Sequence, residues 1–511
     1  MKKKKIIKTL LVLAIVFILA DVAFLFSKSN LKIVDAKNLP VVLSSCEDSD
    51  QGVEPFFKGS VTIGPSGKKY DDYCIGDDTL VEYSCNRNKI ASEQIKCELG
   101  CSTGLCFDPE PHLYLTLTVY SEALVNSEED WDRYDVIYNF SNYDKTNSIM
   151  ADFFNTEKRE NIKDSYGVPH KISWMAYSSE DMCNANNADC TSLYDVLTNN
   201  WGKEIEKYGD TVEWHLHNEY WHPNGECWTQ ALFFDEDRQE VAERILNHLV
   251  IDHSYFPSVY GGGWAWMDND LSNFLDNLVF SEYTNIAPFK NMPGAGGPPD
   301  CSGNYYDWSR APDDWGFYNP SVTDYQIPGD QNRTVFRCKE FSIVYLYQMF
   351  NRAEETNENV MGCFFIHNTL GNEGMYVANF LNNNVKNLAE LYSIPVSYVN
   401  VREATQIALQ TTDQTPAELI LNYNGDNLVN IQSNEPLYSI YSAIKYDNNY
   451  QRVEVTQLEN SYQAIIPKDI DDSFVFAVAT TDLAGNVNVV QKTYTPIKPA
   501  PLDRTLEKVF D

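Results

Sequence analysis

Residues 191–217 read TSLYDVLTNNWGKEIEKYGDTVEWHLH, and this stretch decides the fold. Up to Gly209 it is amphipathic, with apolar residues at helical spacing, and TVEWHLH after it alternates as a half-buried strand does. The same order recurs on both sides. Upstream, LYLTLTVY (113–120) and KISWMAY (171–177) read as strands. Downstream comes the helix DEDRQEVAERILNHLVIDH (235–253), with acidic residues in its first turn, where the helix dipole favours them. VYGGGWAW, the helix DLSNFLDNL and the strand LVFSEY (278–283) follow. After a long loop, CKEFSIVYLYQMFNRAEE (338–355) reads as a helix and NVMGCFFIH (359–367) as a strand. YVANFLNNNVKNLAELY, VSYVNV and REATQIAL then give helix, strand and helix again. Strand and helix alternating over about 300 residues predict an α/β domain with a parallel sheet, and the length favours a distorted, closed (β/α) barrel over 108–410.

Outside that region the pattern changes. Residues 411–498 hold short strands separated by turns, from AELILNYN to VNVVQKTYT, which predicts a C-terminal β-sandwich. Its DLAGN turn (482–486) resembles one that links the last strands of bacterial immunoglobulin-like modules. Residues 499–511 read as a tail. On the other side, 46–107 carries six of the twelve cysteines and no histidine. A segment that small buries little core, so three disulfides are expected in a small cysteine-rich module, with the pairing open among 15 connectivities. Cys183 and Cys190 could close a loop, and Cys227, Cys301, Cys338 and Cys363 could form two further bridges or stay reduced.

The amino terminus sets the expected address. Lys2, Lys3, Lys4, Lys5 and Lys8 precede an apolar run that extends to Phe26. This is the pattern of an export signal, and its length suits a transmembrane helix. Residues 1–29 are therefore expected to be a membrane anchor or signal and 30–45 a linker, with the remainder extracytoplasmic, at the cell surface. Two sequons, at Asn139 and Asn332, are compatible with export. Lys plus Arg number 39 against 73 for Asp plus Glu, a net charge of −34, and beyond residue 8 there is no basic patch. Nucleic acid is excluded as a partner on that ground. Aromatics at 13% suit a sugar-stacking surface.

Chemistry concentrates in TVEWHLHNEYWHP (211–223), where His215, His217 and His222 fall within eight residues. Alternate residues of a strand share a face, so Glu213, His215, His217 and Glu219 are expected to point together into the mouth of the barrel. Imidazole is the commonest zinc ligand, and the expectation is a divalent metal, zinc, on two or three of His215, His217 and His222. His367 closes the strand CFFIH at the same end.

The order of elements from Leu113 to Leu409 resembles the polysaccharide deacetylases of the NodB-homology type. Gly209-Asp210-Thr-Val-Glu-Trp-His215 is similar to that family's metal-binding motif, with His222-Pro223 as its ending. GGGWAWMDNDLSNFLDNL is similar to the third motif, and CFFIHNTLG to the closing part, which carries the family's last histidine onto His367. The resemblance implies a metal-dependent hydrolase that removes acetyl groups from cell-surface polysaccharide, with His367 as general acid. Two positions depart from it. Tyr120 and Ser121 stand where the family has an aspartate pair, leaving Glu122 as the nearby carboxylate for a ligand or base. Gly261 or Gly262 stands where it has an arginine. Two other readings are weighed beside it. One is a catalytically degenerate surface protein that binds glycan through Trp214, Trp221, Trp264 and Trp266. The other is a retaining glycoside hydrolase using Glu219 and Glu282 as its two carboxyls.

Overall fold

The computed structural model describes residues 46–48, 59–64, 68–86 and most of 89–495; outside it lie 1–45, 496–511 and, among longer internal stretches, 107–110, 126–136, 223–226, 286–307 and 368–372. The expected anchor, linker and tail fall outside the described residues. Among the described residues no helix is long and apolar enough to cross a membrane.

The cysteine-rich module is held by Cys46–Cys85, Cys74–Cys101 and Cys97–Cys106, which settles the pairing. Its buried cluster is Leu80 packed on three of those cysteines, a core too small to hold a fold unaided. A fourth bridge joins Cys183 to Cys190, and Cys363 is also disulfide-bonded. Disulfides persist in oxidising compartments, so the described residues belong to an extracellular or secreted setting.

Eight parallel strands form the centre: β1 (Leu113–Ser121), β2 (Ile172–Ser179), β3 (Thr211–His217), β4 (Val259–Gly262), β5 (Ser281–Asn285), β6 (Thr334–Glu340), β7 (Val360–His367) and β8 (Val396–Tyr398). They pair in the order β2-β3-β4-β5-β6-β7-β1-β8, and β1 pairs with β2 as well. β1 therefore has neighbours along both edges. On one edge it meets β7 over Leu113–Tyr120; on the other it meets β8 over Leu113–Leu115 and β2 over Leu117–Ser121. The sheet is strongly curled, and helices cover its outside. All nine residues of β1 are buried, the hydroxylated Thr116, Thr118 and Ser121 among them.

The inner face packs Tyr114, Tyr120, Met175, Val259, Tyr283, Phe336 and Cys363 against Val401, Ala404 and Ile407. Those last three lie on the helix Val401–Ala408, so this helix stops the end of the sheet where the strands begin. A capping box starts it: Glu403 N–H donates to the Asn400 side chain, and Asn400 N–H donates to the Glu403 carboxylate.

One expected element changes identity. Residues 338–340 end the strand β6, and the helix begins at Ile343, with Ser342 as its cap. β6 lies in the stretch read above as loop and helix. Arg333 just before it and Arg337 within it break the apolar pattern, yet both are fully buried, so their charge hid a core strand.

The all-β region has two four-stranded antiparallel sheets with a shared core that includes Leu421, Ile431, Ile444, Phe476 and Val478. One sheet also packs outward, where Tyr441, Ala443, Ala477 and Ala479 join a cluster with Leu246, Leu249 and Val250 of the helix Glu236–Asp252. Tyr441 OH to Asn247 Oδ1 at 2.8 Å, Arg452 to Glu243 at 2.8 Å and Lys445 to Asp252 at 2.8 Å ring that contact.

Candidate functional site

β3 sorts its side chains by alternation. Trp214 and Leu216 turn outward into the helical layer, while His215 and His217 take the inner face. Register brings neighbours to them: Tyr177 on β2 and Gly261 on β4 lie opposite His215, and His367 on β7 lies opposite Tyr120 on β1. The Tyr120 ring is 4.5 Å from His215 and 5.5 Å from His367, centroid to centroid. All of these sit at the carboxyl ends of the strands, where parallel barrels carry their chemistry.

His215 Nδ1 lies 2.8 Å from the Gly261 carbonyl, which can only accept. Nδ1 therefore carries the hydrogen and Nε2 presents its lone pair, 2.9 Å from His217 Nε2. Glu122, just past β1, completes the group, and one ligand atom from each of Glu122, His215 and His217 lies within 4.8 Å of the others. Burial holds the His215 imidazole well below its ordinary pKa, and His217 adds to the effect. The ring is thus neutral at pH 7, the state that binds metals. Two imidazoles and a carboxylate are a zinc-type donor set. Tetrahedral zinc at about 2.0–2.1 Å sets two nitrogens about 3.3 Å apart, so the residues fit such an ion after spreading by a few tenths of an ångström.

Two glycines, one in β4 and one just past it, sit against these side chains. A Cβ on Gly261 would stand 2.5 Å from the Met175 methyl, and one on Gly263 would stand 2.3 Å from the His217 ring. Where the resemblance expects an arginine, a side chain at Gly261 would have to displace the Met175 methyl, and one at Gly262 would stand 2.7 Å from the Trp266 backbone carbonyl. The aspartate positions offer no carboxylates. Tyr120 is buried, its phenol pushed far up by burial and then by Glu282 and Glu122, and Ser121 Oγ turns to the Val119 carbonyl at 3.5 Å. His367 Nε2 lies 3.6 Å from Glu122 Oε1. Their side chains are 42% and 27% exposed, whereas His215 and His217 are almost wholly buried, so solvent reaches the site from the His367–Glu122 side.

The remaining expected residues fare differently. His222, Trp221 and Glu219 lie on the hairpin Glu219–His222 with Cys227–Gln230, and their side chains, like that of Trp264, are outside the described residues. Trp214 and Trp266 are buried at 2% exposure, and Trp214 Nε1 donates to Ser178 Oγ at 3.0 Å. They are core residues, because alternation sends Trp214 to the face opposite His215, and they offer no sugar platform. Glu213 is inward but sealed: Ser258 and Val259 N–H donate to it at 3.2 and 3.0 Å, and Arg402 is 3.4 Å away.

Glu282 corrects the glycosidase reading. It pairs in register with Tyr260, whose ring belongs to the outer cluster, while its neighbour Tyr283 takes the inner face. Arg333 Nη1 donates to Glu282 Oε2 and Arg333 Nη2 to Ser272 Oγ at 2.7 Å. Glu282 is a buried ion-pair partner turned away from the histidines. Sequence reasoning also missed Tyr177, whose ring lies 4.8 Å from that of His217. Its signal was the period of two in ISWMAYSS, which puts Tyr177 on the inner face with Met175.

A second group, of three carboxylates, gathers Asp413 and Glu435 beside Asp482 of the DLAGN turn. Asp482 Oδ1 accepts from Ala484 and Asn486 N–H at 2.8 and 2.9 Å, and burial, with Asp413 beside it, pushes Glu435 up to about 7.

No known protein family matches this sequence, and no curated protein does. Among solved structures the chain is similar to a Cellulomonas fimi endo-β-1,4-mannanase double mutant, at 9% identity and a TM-score of 0.27, covering 75% of this chain and 94% of the mannanase. It is also similar to a β-galactosidase, described as putative, from Bacteroides fragilis, at 8% identity and a TM-score of 0.17, covering 86% of this chain and 60% of that one. A cell-surface chitinase of Paenibacillus overlaps at 8% identity and a TM-score of 0.19, over 89% of this chain and 51% of its own. At these scores the likenesses assign neither a family nor an activity.

Proposed function

We propose that this protein is a metal-dependent deacetylase of cell-surface polysaccharide, built on a distorted (β/α) barrel and held to the membrane by its amino-terminal helix. The carrying observation is the convergence of Glu122, His215 and His217 from β1 and β3 at the carboxyl end of the curled sheet. These three residues would hold a divalent ion, zinc by donor type, with His222 a further candidate. Such an ion supplies Lewis-acid polarisation of an ester or amide carbonyl.

The chain's own groups do the rest. Gly261 fixes the His215 tautomer, and burial keeps that ring neutral. His367, partly exposed and beside Glu122, is the group that can pass a proton to a leaving amine or alkoxide. The acetylated glycan approaches from that open side. Elemental analysis of the full chain purified without chelator, followed by an acetate-release assay on acetylated glycan, tests the reading. The expected results are about one divalent ion per chain and acetate release abolished by chelator. Metal-free protein, or release that survives chelation, overturns it.

A second reading is favoured by one specific feature, the replacement of the aspartate pair by the buried Tyr120 and by Ser121. A degenerate site of that kind binds glycan and releases nothing. Glycan affinity without acetate release selects it.

A further inference from the structure

The short helix Glu180–Asn184 follows β2 at the same end of the sheet as the histidines. It is clamped firmly for its length. A disulfide ties Cys183 to Cys190, Arg244 Nη2 donates to the Cys183 carbonyl at 2.7 Å, and Arg238 Nη1 lies 2.5 Å from Glu180 Oε2. Ser179 already caps the helix, accepting from Met182 N–H at 3.3 Å. Asp181, two residues on, is therefore not needed as the cap. Its carboxylate instead receives three hydroxyls: Ser179 Oγ and Tyr177 OH, the latter at 3.3 Å, on Oδ1, and Tyr138 OH on Oδ2. Tyr138 is itself pinned, with its N–H and carbonyl bonded to the Asn187 amide at 3.1 and 2.8 Å.

Tyr177 connects this anchor to the site. It stands opposite His215 in the β2–β3 register, and its ring lies 4.8 Å from the His217 ring. Nothing covalent fixes a tyrosine ring about its side-chain bonds, so what holds it is packing and the hydroxyl at its tip. We infer that Asp181 is a positioning residue for the histidine pair: through the Tyr177 hydroxyl it holds that ring against His217, and so keeps the two Nε2 atoms aimed at one another. The inference rests on the metal reading above only for the purpose of the pair; the packing chain from Asp181 to Tyr177 to His217 stands without it.

The test uses the full chain, treated with chelator, and the variants Asp181→Asn, Tyr177→Phe and Tyr177→Ala. Diethylpyrocarbonate modifies accessible neutral imidazoles, and tandem mass spectrometry assigns the modified ring. His217 should react several-fold faster in Asp181→Asn and fastest in Tyr177→Ala, while His112 and His170, buried elsewhere, keep the parental rate. A parental rate at His217 in both overturns the inference. So does a rise shared by all buried histidines in both Asp181→Asn and Tyr177→Phe, which means a loosened fold; Tyr177→Phe, which removes only the hydroxyl bonded to Asp181, should raise the His217 rate alone. Zinc alone supplies the second readout. Its affinity should fall about ten-fold in Asp181→Asn, as for the loss of a group that orients a metal ligand. Equal affinity in parent and variant overturns the inference. A parent that takes up no zinc overturns the metal reading instead, and the His217 rate still decides this one.

Discussion

The two ends of strand β3 carry buried polar groups finished in opposite ways. At the start, Asp210 accepts from Arg159 Nη1 and Nη2 at 2.8 and 2.6 Å, from Ile172 N–H at 2.9 Å and from Trp174 Nε1 at 3.0 Å. Arg159 in turn lies 4.1 Å from the Tyr208 ring and donates to the His170 carbonyl at 2.6 Å. Charge is matched and the carboxylate is satisfied by donors from several elements. At the other end, His215 and His217 are buried and face one another, with a carboxylate and a partly exposed histidine beside them. The first arrangement locks strands to helices. The second gathers imidazole nitrogens and a carboxylate in one place. The difference follows the general division in parallel barrels, where the end at which strands begin holds the fold and the end at which they finish carries chemistry.

The strongest way to break that comparison is Asp210→Ala. Removing one partner of a buried pair leaves Arg159 uncompensated, and the expected loss is about 3–5 kcal/mol of stability. Urea unfolding measures it. A loss under about 1 kcal/mol would place Asp210 with exposed pairs and end the contrast. At the other end, His367→Ala should lower acetate release by about 10²–10⁴, with a thermal midpoint near that of the parent. If the midpoint falls as far as in Asp210→Ala, the mouth is structural too.

Glu282→Gln sharpens the point on β5. The Arg333 guanidinium keeps Ser272 but loses its anion, so stability should drop by about 1.5–3 kcal/mol, while zinc content and acetate release stay at parental values. Lost activity with unchanged stability would return Glu282 to the catalytic groups.

The smallest effect concerns pH. Burial, aided by Arg159, holds His170 well below the ordinary imidazole value. The unfolded chain therefore takes up a proton near pH 6.5 that the folded chain refuses, and stability present above that pH is lost as pH falls through it. Thermal midpoints of His170→Gln should fall less than those of the parent between pH 7.5 and 5.5. Parallel curves would show that His170 contributes nothing to acid sensitivity.

Some of this was legible in the sequence and some was not. β1, β2 and β3 announce themselves because strands buried on both faces, or cleanly alternating, write their environment into local composition. β6 does not, since Arg333 and Arg337 look solvated until Glu282, from a strand about 50 residues away, is seen to match the charge of Arg333. Trp214 and Trp266 looked like sugar platforms because aromatic residues serve cores and binding surfaces equally well. The neighbourhood of His215 and His217 was readable from their spacing of two. Their partnership with Glu122 was a narrower inference, for it depends on β1 and β3 flanking β2.

By itself the sequence determined what is local: an amphipathic helix before a strand, the switch to strands alone near residue 411, a cysteine cluster too small to fold without bridges, and two histidines on one face. Tertiary structure decided what depends on which strands become neighbours. It chose one disulfide pairing in the module, turned Glu282 outward and sent Tyr120 inward. It set Glu122 and His367 beside the histidine pair and brought the Trp266 backbone against Gly262. Periodicity is a property of a few consecutive residues, whereas register and curl are fixed by contacts between residues that lie up to hundreds of positions apart, and no window of sequence contains both partners.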